Sequence, residues 1–568
     1  MKTEFKESSL RSTVQIQLPT GKVITGPRGA TVGSFLNILP EAGDKQIVGA
    51  VVNYELRELT FPIQIDSYVS PVLVSSSDGA RIYRRSLTFL LQAAFADLYP
   101  DAEVTVDHSV SSGGYYCTVQ GVRKVTKGML AKLTARMRKM VRQDIPFTKY
   151  IIPIADALKE FQEQGYEDKA LLMRFRKKDT LVMYELEGYR DYFHGYMVPS
   201  TGYLYLFQLV LAGEGFVMQY PRRHAVDQLQ AIPETEKLLK TFRQYGAWLT
   251  RIGIENVGQL DLSIEQGNVR EIILISEALQ EQQISNIAQK IADRSDKARI
   301  VLLAGPSSSG KTTTSKRLSV QLLARGLSPY ALELDNYFVD RSKTPRDENG
   351  DYDYESLKAL DIDRLSKDIS GLISGAEVHM PRYNFQTGQS EPGDSAKLTS
   401  DQVIILEGIH GLNPALLPSI PADQAFRLYV SCLTQLNLDR HNRISTTDSR
   451  LIRRIVRDQR ERGYSALDTI GRWESVRRGE KKYIFPYQEN ADEMFNTALV
   501  YELSALKSYA EPLLSQVPFG KPEYIEAKRL LTLLDWFIPL DEALIPDNSI
   551  LREFIGNSIF KQFKIWKL

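Results

Sequence analysis

The sequence predicts a multidomain α/β protein with a parallel sheet in its C-terminal half, on three observations. The first is length: 568 residues are too many for one hydrophobic core, so about three or four domains are expected. The second is the run Ala298–Ala304, short, apolar and β-branched, as in a strand buried on both faces of a parallel sheet. The third is a glycine-rich loop leading from that run into a helix. Gly305–Thr312 fits G-x-x-x-x-G-K-[ST] at every fixed position, and Thr312–Arg325 reads as a helix with Leu318, Leu322 and Leu323 at apolar spacing and Gly326 as its stop.

Bulk properties narrow the class. At 43% hydrophobic and 25% charged the chain has a globular composition. A net charge of +1 excludes polyanion binding by the overall field, so any basic surface is local. Cys117 and Cys432 are the two cysteines, which rules out a disulfide framework and a cysteine zinc site and suits a reducing compartment. Met1–Leu10 is polar, and no apolar run approaches the ~20 residues of a membrane span. A cytoplasmic location is expected.

Residues 1–75 read as a small β-rich unit. Val14, Ile16 and Leu18 alternate with polar residues, Pro19–Lys22 turns, and Val23–Thr25 resumes, which is a hairpin signal. Thr31 is placed to cap a short helix through Leu39, and Ile47–Val52 is a further strand. The segments Val14–Gly21, Gly49–Asn53 and Leu56–Leu59 resemble a TGS domain, the ubiquitin-like β-grasp module of threonyl-tRNA synthetases and some GTPases. The resemblance implies a ligand- or RNA-binding module; a structural or regulatory cap is the alternative.

Residues 76–270 have a mixed pattern. Arg85–Leu98 and Gly128–Val141 are predicted helices, Val104–Val106 and Tyr203–Phe207 predicted strands, and Gly113–Gly114 a turn. In order and position this α+β region is similar to the second additional domain of threonyl- and alanyl-tRNA synthetases. That family carries a helical His-Ser-x-x-His zinc pair. The matching positions here are Arg85–Phe89, without either histidine. His108, His194 and His224 have no ligand partner at metal spacing and are expected to be core or surface residues. The basic stretch Lys124–Arg142 fits RNA contact by the N-terminal half or a solvated face. Glu271–Arg294 reads as a long helix, within a helical linker over 271–297.

From Ala298 to the end, 298–568, the signals concern a phosphate-handling site. Glycines let successive N–H groups face phosphate oxygens at a helix N-terminus. The expected ATP-binding residues are therefore Gly305, Ser307, Ser308, Ser309, Gly310, Lys311, Thr312 and Thr313. Lys311 reaches the β/γ-phosphates, and the Thr312 hydroxyl ligates Mg²⁺. Asp335 follows the short strand Leu332–Leu334, where it can take a proton from a substrate hydroxyl or help hold Mg²⁺. Glu407 ends the buried run from Val403 and is a Mg²⁺-shell candidate. Arg450, Arg453, Arg454 and Arg457 share one helix face, continued by Arg460 and Arg462; an all-arginine face suits bidentate phosphate contact in a lid that closes over ATP. The tail, Ser504–Leu568, is helical and then rich in aromatics (Trp536, Phe537, Phe554, Phe560, Phe563, Trp566), as if packed on a neighbouring domain or on a second subunit of a homo-oligomer.

Together these residues resemble the uridine kinase and phosphoribulokinase family. The match takes in the Gly305 loop, Asp335–Phe338, Tyr352–Tyr354, Pro381–Phe385, Ile405–Gly408 and Arg450–Gly463, in the family's order over about 200 residues. The resemblance implies a P-loop kinase with ATP as donor, Mg²⁺ as cofactor and a nucleoside as acceptor. By resemblance Asp335 is the general base, with Lys311, Arg450 and Arg454 acting in catalysis and Arg453 and Arg457 on ATP. Asp353 holds ribose hydroxyls, Tyr383 and Phe385 line the base pocket, and Arg462 touches the acceptor. The sequence departs from the family at Gly388, where uridine-cytidine kinases typically place a histidine. The expected function is phosphorylation of a ribonucleoside 5′-hydroxyl. The alternatives are a kinase for another sugar-type hydroxyl and a tRNA- or RNA-sensing regulatory NTPase.

Overall fold

The computed structural model describes residues 10–40, 46–110, 113–232, 235–346, 350, 352–399 and 401–563. Trp566 lies outside them. The first unit comprises β1 (Thr13–Gln17), β2 (Val23–Pro27), α1 (Val32–Leu36), β3 (Ile47–Val52), β4 (Glu55–Arg57) and β5 (Ser67–Leu73). Its sheet runs β2-β1-β5-β3-β4, with β1 antiparallel to β2 and parallel to β5. The alternation read from the sequence sets the inward face: Val14, Ile16 and Leu18 pack with Val32 and Phe35. Thr31 caps α1 by accepting from the Ser34 N–H at 3.2 Å. The helix ends at Leu36, short of Leu39.

Next come α2 (Ser77–Leu98), β6 (Glu103–Val110), β7 (Gly114–Gln120), α3 (Lys127–Gln143), β8 (Thr148–Pro153), α4 (Ile154–Glu163), α5 (Glu167–Arg174), β9 (Thr180–Leu186), β10 (Tyr189–Tyr192), β11 (Gln208–Ala212) and β12 (Gly215–Gln219). The strands form two sheets, β11-β12-β7-β6 and β10-β9-β8. α2 starts at Ser77 rather than Arg85 because Ser76 caps it, accepting from the Gly79 N–H at 3.1 Å. The strand expected over Tyr203–Phe207 is corrected: Thr201–Tyr203 is a 3₁₀ turn and the strand begins at Gln208. Leu206 has its backbone satisfied by a side chain instead of a ladder, since Tyr83 Oη donates to its carbonyl (2.9 Å) and accepts from its N–H (3.1 Å). The basic helix α3 buries Leu130, Leu133, Met137 and Met140 and turns Lys132, Arg138, Lys139 and Arg142 to solvent. His108 is buried and stacked on Phe242, with ring centroids 4.1 Å apart.

Three helices, α6 (Glu236–Ile252), α7 (Val257–Glu265) and α8 (Val269–Ala292), lead to the last unit. There β13 (Ile300–Ala304), α9 (Lys311–Leu323), β14 (Ser328–Glu333), α10 (Ile362–Ile373), β15 (Val378–Asn384), β16 (Gln389–Ala396), β17 (Gln402–Glu407), β18 (Ala425–Ser431), α11 (Thr446–Arg462), α12 (Ala466–Tyr483), β19 (Glu493–Asn496), α13 (Glu502–Ser515), α14 (Glu523–Leu534) and α15 (Arg552–Ile555) succeed one another along the chain. The main sheet, β14-β17-β13-β18-β19, is parallel throughout. α8 lays Ile284, Ile287 and Ile291 into the same core as Val301, Leu303 and Leu318. Trp536, Phe537, Phe554 and Phe560 of the tail are buried against the chain itself.

The connection 432–445, between β18 and α11, has no regular structure yet is largely buried. Several of its backbone and side-chain polar groups find partners in the N-terminal half, as a buried loop requires. The Arg440 carbonyl accepts from the Val106 N–H (2.9 Å) and the Asn437 carbonyl from the Val257 N–H (3.0 Å). Asn437 Nδ2 donates to the Val106 carbonyl (3.1 Å), and Arg440 Nε to Asp168 (2.9 Å). Beneath them Lys169, fully buried, lies 2.6 Å from Asp191 Oδ2, 2.9 Å from His441 Nδ1 and 3.8 Å from Asp439. The Lys169 ammonium holds the buried Asp191 carboxyl down at about 2 despite its desolvation.

Candidate active site

β13 ends at Ala304, and the chain curls through Gly305–Gly310 into α9. Two glycines are needed there. A Cβ at Gly305 would strike the Val430 carbonyl of β18, and Gly310 has φ +85°, with Ile550 Cγ2 2.8 Å from where a Cβ would stand. Ser308 also holds a positive φ of 58°. The N–H groups of the first turn of α9 have no partner within the helix.

β14 and β17 lie side by side and end level with this loop: Glu333 pairs with Glu407 in the register. Thr312 Oγ1 donates to Glu407 Oε1 at 2.9 Å. Burial pushes the Glu407 carboxyl up to about 7, with Lys311 and Thr312 pulling the other way. Desolvation lowers Lys311, opposed by Glu407, Glu553 and Asp335. Asp335 opens the 3₁₀ turn after β14. Its carboxyl reaches solvent but is ringed by protein atoms; the desolvation raises its pKa against the pull of Lys311 and Arg462. Burial and the neighbouring Glu480 push Glu355 up to about 7.

The arginine helix divides its labour. Arg450 Nε donates to the Ser307 carbonyl (2.8 Å), and its guanidinium is paired with Glu480, which also accepts from the Ser307 N–H at 3.1 Å. Arg454 Nη1 donates to Ser307 Oγ at 3.0 Å and its Nε to Asp458 at 3.1 Å. Arg457 and Arg462 also lie against Asp458, at 2.9 and 3.4 Å. Arg453 is wholly buried on Glu502 and Thr497, and reaches the loop only through Thr497, whose hydroxyl donates to the Ser309 carbonyl at 2.6 Å.

An aromatic group gathers on Phe338, which closes the turn that carries Asp335. Phe338 lies 5.5 Å from Tyr383 and 6.3 Å from both Tyr354 and Phe385, centroid to centroid. Tyr383 is buried with its hydroxyl unpartnered, and Phe385 is 60% exposed. Asp353 Oδ2 accepts from the Tyr483 hydroxyl at 2.8 Å. Gly388 has φ +73°, and the Arg341 guanidinium packs so close that a Cβ would sit 2.8 Å from its Cζ.

The structure thus brings Thr312 onto Glu407, sets Lys311 in the field of Glu407 and Asp335, and ties Arg450 and Arg454 to Ser307 of the loop. It adds Arg341, Glu355, Glu480 and Glu553, which sequence reasoning missed. Glu553 of α15 accepts from the Thr313 N–H at 3.1 Å, so a carboxylate of the tail occupies an anion position of the helix N-terminus. The one local hint was the charge of Glu553 amid an apolar aromatic tail. Among the described residues no cluster of three or more His, Cys, Asp or Glu could hold a metal. The Thr312–Glu407 oxygen pair fits Mg²⁺, which keeps several waters and takes its other oxygens from phosphate. Among the described residues no helix is long and apolar enough to cross a membrane.

Residues 300–503 match the model of the Phosphoribulokinase / Uridine kinase family. The N-terminal half resembles threonine–tRNA ligases. That of Burkholderia lata is 31% identical over 198 residues, 35% of this chain and 31% of the relative, and that of Burkholderia vietnamiensis is 30% identical over the same length. The chain therefore spans about a third of the length of the curated relatives it matches. Among solved structures, the phosphoribulokinase from Rhodobacter spheroides is 18% identical, covering 35% of this chain and 69% of its own, with TM-score 0.24. The "Possible Uridine Kinase" from Bacillus stearothermophilus is 18% identical, covering 36% of this chain and all of its own, with TM-score 0.25.

Proposed function

We propose that the chain is a P-loop phosphotransferase that moves the γ-phosphoryl group of ATP to the 5′-hydroxyl of a ribonucleoside. The observation that carries this reading is the position of Asp335. Its carboxyl feels the phosphate-loop lysine electrostatically, and three residues on along the same turn comes Phe338, the centre of the aromatic group. A carboxylate so placed has a use if a hydroxyl-bearing acceptor lies on that aromatic floor. Asp335 takes the hydroxyl proton as the acceptor oxygen bonds to the γ-phosphorus and the bond to the β,γ-bridging oxygen breaks, leaving ADP. Lys311 and Arg454 meet charge developing on the transferred group, and Arg450 fixes the loop through Ser307. Mg²⁺, held at Thr312 and Glu407, would neutralise and orient the phosphates. Asp353 serves ribose hydroxyls, Tyr383 and Phe385 the base, Arg457 the nucleotide and Arg462 the acceptor, while Arg453, buried on Glu502 and Thr497, braces the loop rather than meeting ATP.

The order β2-β1-β5-β3-β4 supports reading residues 1–75 as a TGS-like β-grasp module, and the likeness to threonine–tRNA ligases supports a synthetase-type region after it, with the exposed cations of α3 available to RNA. One observation favours a second acceptor class: the guanidinium of Arg341 fills the space at Gly388 with its Nε buried and unpartnered, which suits an anionic sugar acceptor. Purified chain with ATP, Mg²⁺ and a panel of nucleosides and pentose phosphates tests the reading. Transfer to a nucleoside that falls by about 10³-fold in Lys311→Ala is expected; equal transfer by both proteins overturns it, and turnover of pentose phosphates with inert nucleosides decides for the second class.

A further inference from the structure

Behind the phosphate loop, between α2, the segment after β12, the 432–445 connection and α12, lies a cavity of about 760 Å³. That volume is in the range of small-molecule sites, roughly 300–1,000 Å³. Its wall is strongly basic. Among the described residues that line it are ten Arg or Lys and three Asp or Glu, in a chain whose net charge is +1. α2 contributes Arg84 and Arg85, the segment after β12 Arg222, the connection Arg443, and α12 Arg477 and Lys481.

The three acids are already engaged. Asp448 is bonded to Arg529 at 2.7 and 2.9 Å, Glu474 is paired with Arg223, and Glu489 accepts from the backbone N–H groups of Lys237 and Leu238 at 3.1 and 3.2 Å. Arg222, Arg443 and Lys481 consequently make no ion pair among the described residues, and Arg443 keeps Nε and Nη2 buried without a hydrogen-bond partner. Arg85 donates to the Tyr196 carbonyl at 2.8 Å, and Arg84 lies over the Tyr220 ring, 5.5 Å from its centroid.

A crowd of like charges taken out of water is costly, and the wall shows it. Desolvation, with neighbouring cations adding to it, holds Lys481 down at about 8, and desolvation holds Arg477 at about 10 although Glu480, 3.7 Å away, pulls the other way. An anion with several oxygens would relieve both the repulsion and the unmet donors, and arginine forks match phosphate in particular.

We propose that this cavity is a second anion site, which binds a small multiply phosphorylated metabolite independently of the phosphate loop. The rings of Tyr115, Tyr220 and Trp473 in the same wall give an organic portion of the ligand a face to pack on.

Isothermal titration of the full-length Lys311→Ala chain with inorganic tripolyphosphate tests it, since that variant weakens the phosphate loop. One remaining site is expected, with an affinity that falls steeply with salt, and Arg222→Ala/Lys481→Ala added to Lys311→Ala is expected to weaken it about ten-fold or more. Should the combined variant fold poorly, protection replaces it: tripolyphosphate should block labelling of Lys481 by an amine reagent in the Lys311→Ala chain, read by mass spectrometry. Absence of a site in Lys311→Ala, unchanged Lys481 labelling, or sulfate binding as tightly as tripolyphosphate overturns the proposal. A single-stranded RNA oligomer that displaces tripolyphosphate at lower concentration assigns the cavity to RNA and overturns it too.

Discussion

Glu553 alters how the nucleotide site is understood at the scale of single side chains. Its carboxylate already accepts the Thr313 N–H, so an incoming phosphate must displace a resident anion from the start of α9. Glu553→Gln should lower the KM for ATP by about three- to ten-fold with kcat little changed, the size expected for one charge at a helix N-terminus; steady-state kinetics at fixed acceptor checks this. On the proposed roles the acid side of the rate profile belongs to Asp335, whose carboxylate takes the hydroxyl proton. Desolvation raises it, so kcat/KM is expected to fall with acid at a pH above the ordinary carboxylate range. The glycine loop was legible because its residues are contiguous and their spacing is itself the geometry. Glu553, Glu480 and Arg341 were not, since their partners lie far off in the chain and no local pattern marks them.

Elements carry the next kind of information. The stripe of arginines on α11 was legible as a helix face, yet which guanidiniums meet phosphate depends on α12 and α13, which supply Glu480 and Glu502 to Arg450 and Arg453. Periodicity places residues on a face; it does not say what the face meets. The missed strand boundary at Gln208 has the same origin, a tyrosine on α2 standing in for a β-ladder. A buried carboxyl on α7 offers a measurement at this scale. Asp261 Oδ1 accepts from the Ile538 N–H of the tail at 3.0 Å, while Oδ2 is buried without a partner. Burial pushes this group up to about 7, above the value of about 3.9 for an unfolded Asp. The folded chain therefore keeps a proton that the unfolded chain has lost, and stability falls as pH rises from about 4 to 7. Asp261→Asn should be more stable than wild type by on the order of 2–4 kcal/mol at pH 8, the two converging near pH 4, as read by urea denaturation at both pH values.

The whole molecule is held by more than its linear order suggests. The motifs divide the sequence legibly into N-terminal modules and a phosphate-handling unit, because each motif is local. Their union was not legible, since Lys169, Asp191, Asp439 and His441 are ordinary residues in three separate stretches. Lys169→Met leaves Asp191 and Asp439 buried without their cation and should cost about 3–5 kcal/mol, seen as a lower denaturation midpoint measured by circular dichroism. The buried connection 432–445 has a consequence for the covalent chain itself. Because a segment of one half seats in β6, α5 and α7 of the other, assembly is expected to survive a break in the chain near residue 296. Two polypeptides divided there should find each other and co-purify as a stoichiometric pair, while the C-terminal piece expressed alone should be insoluble.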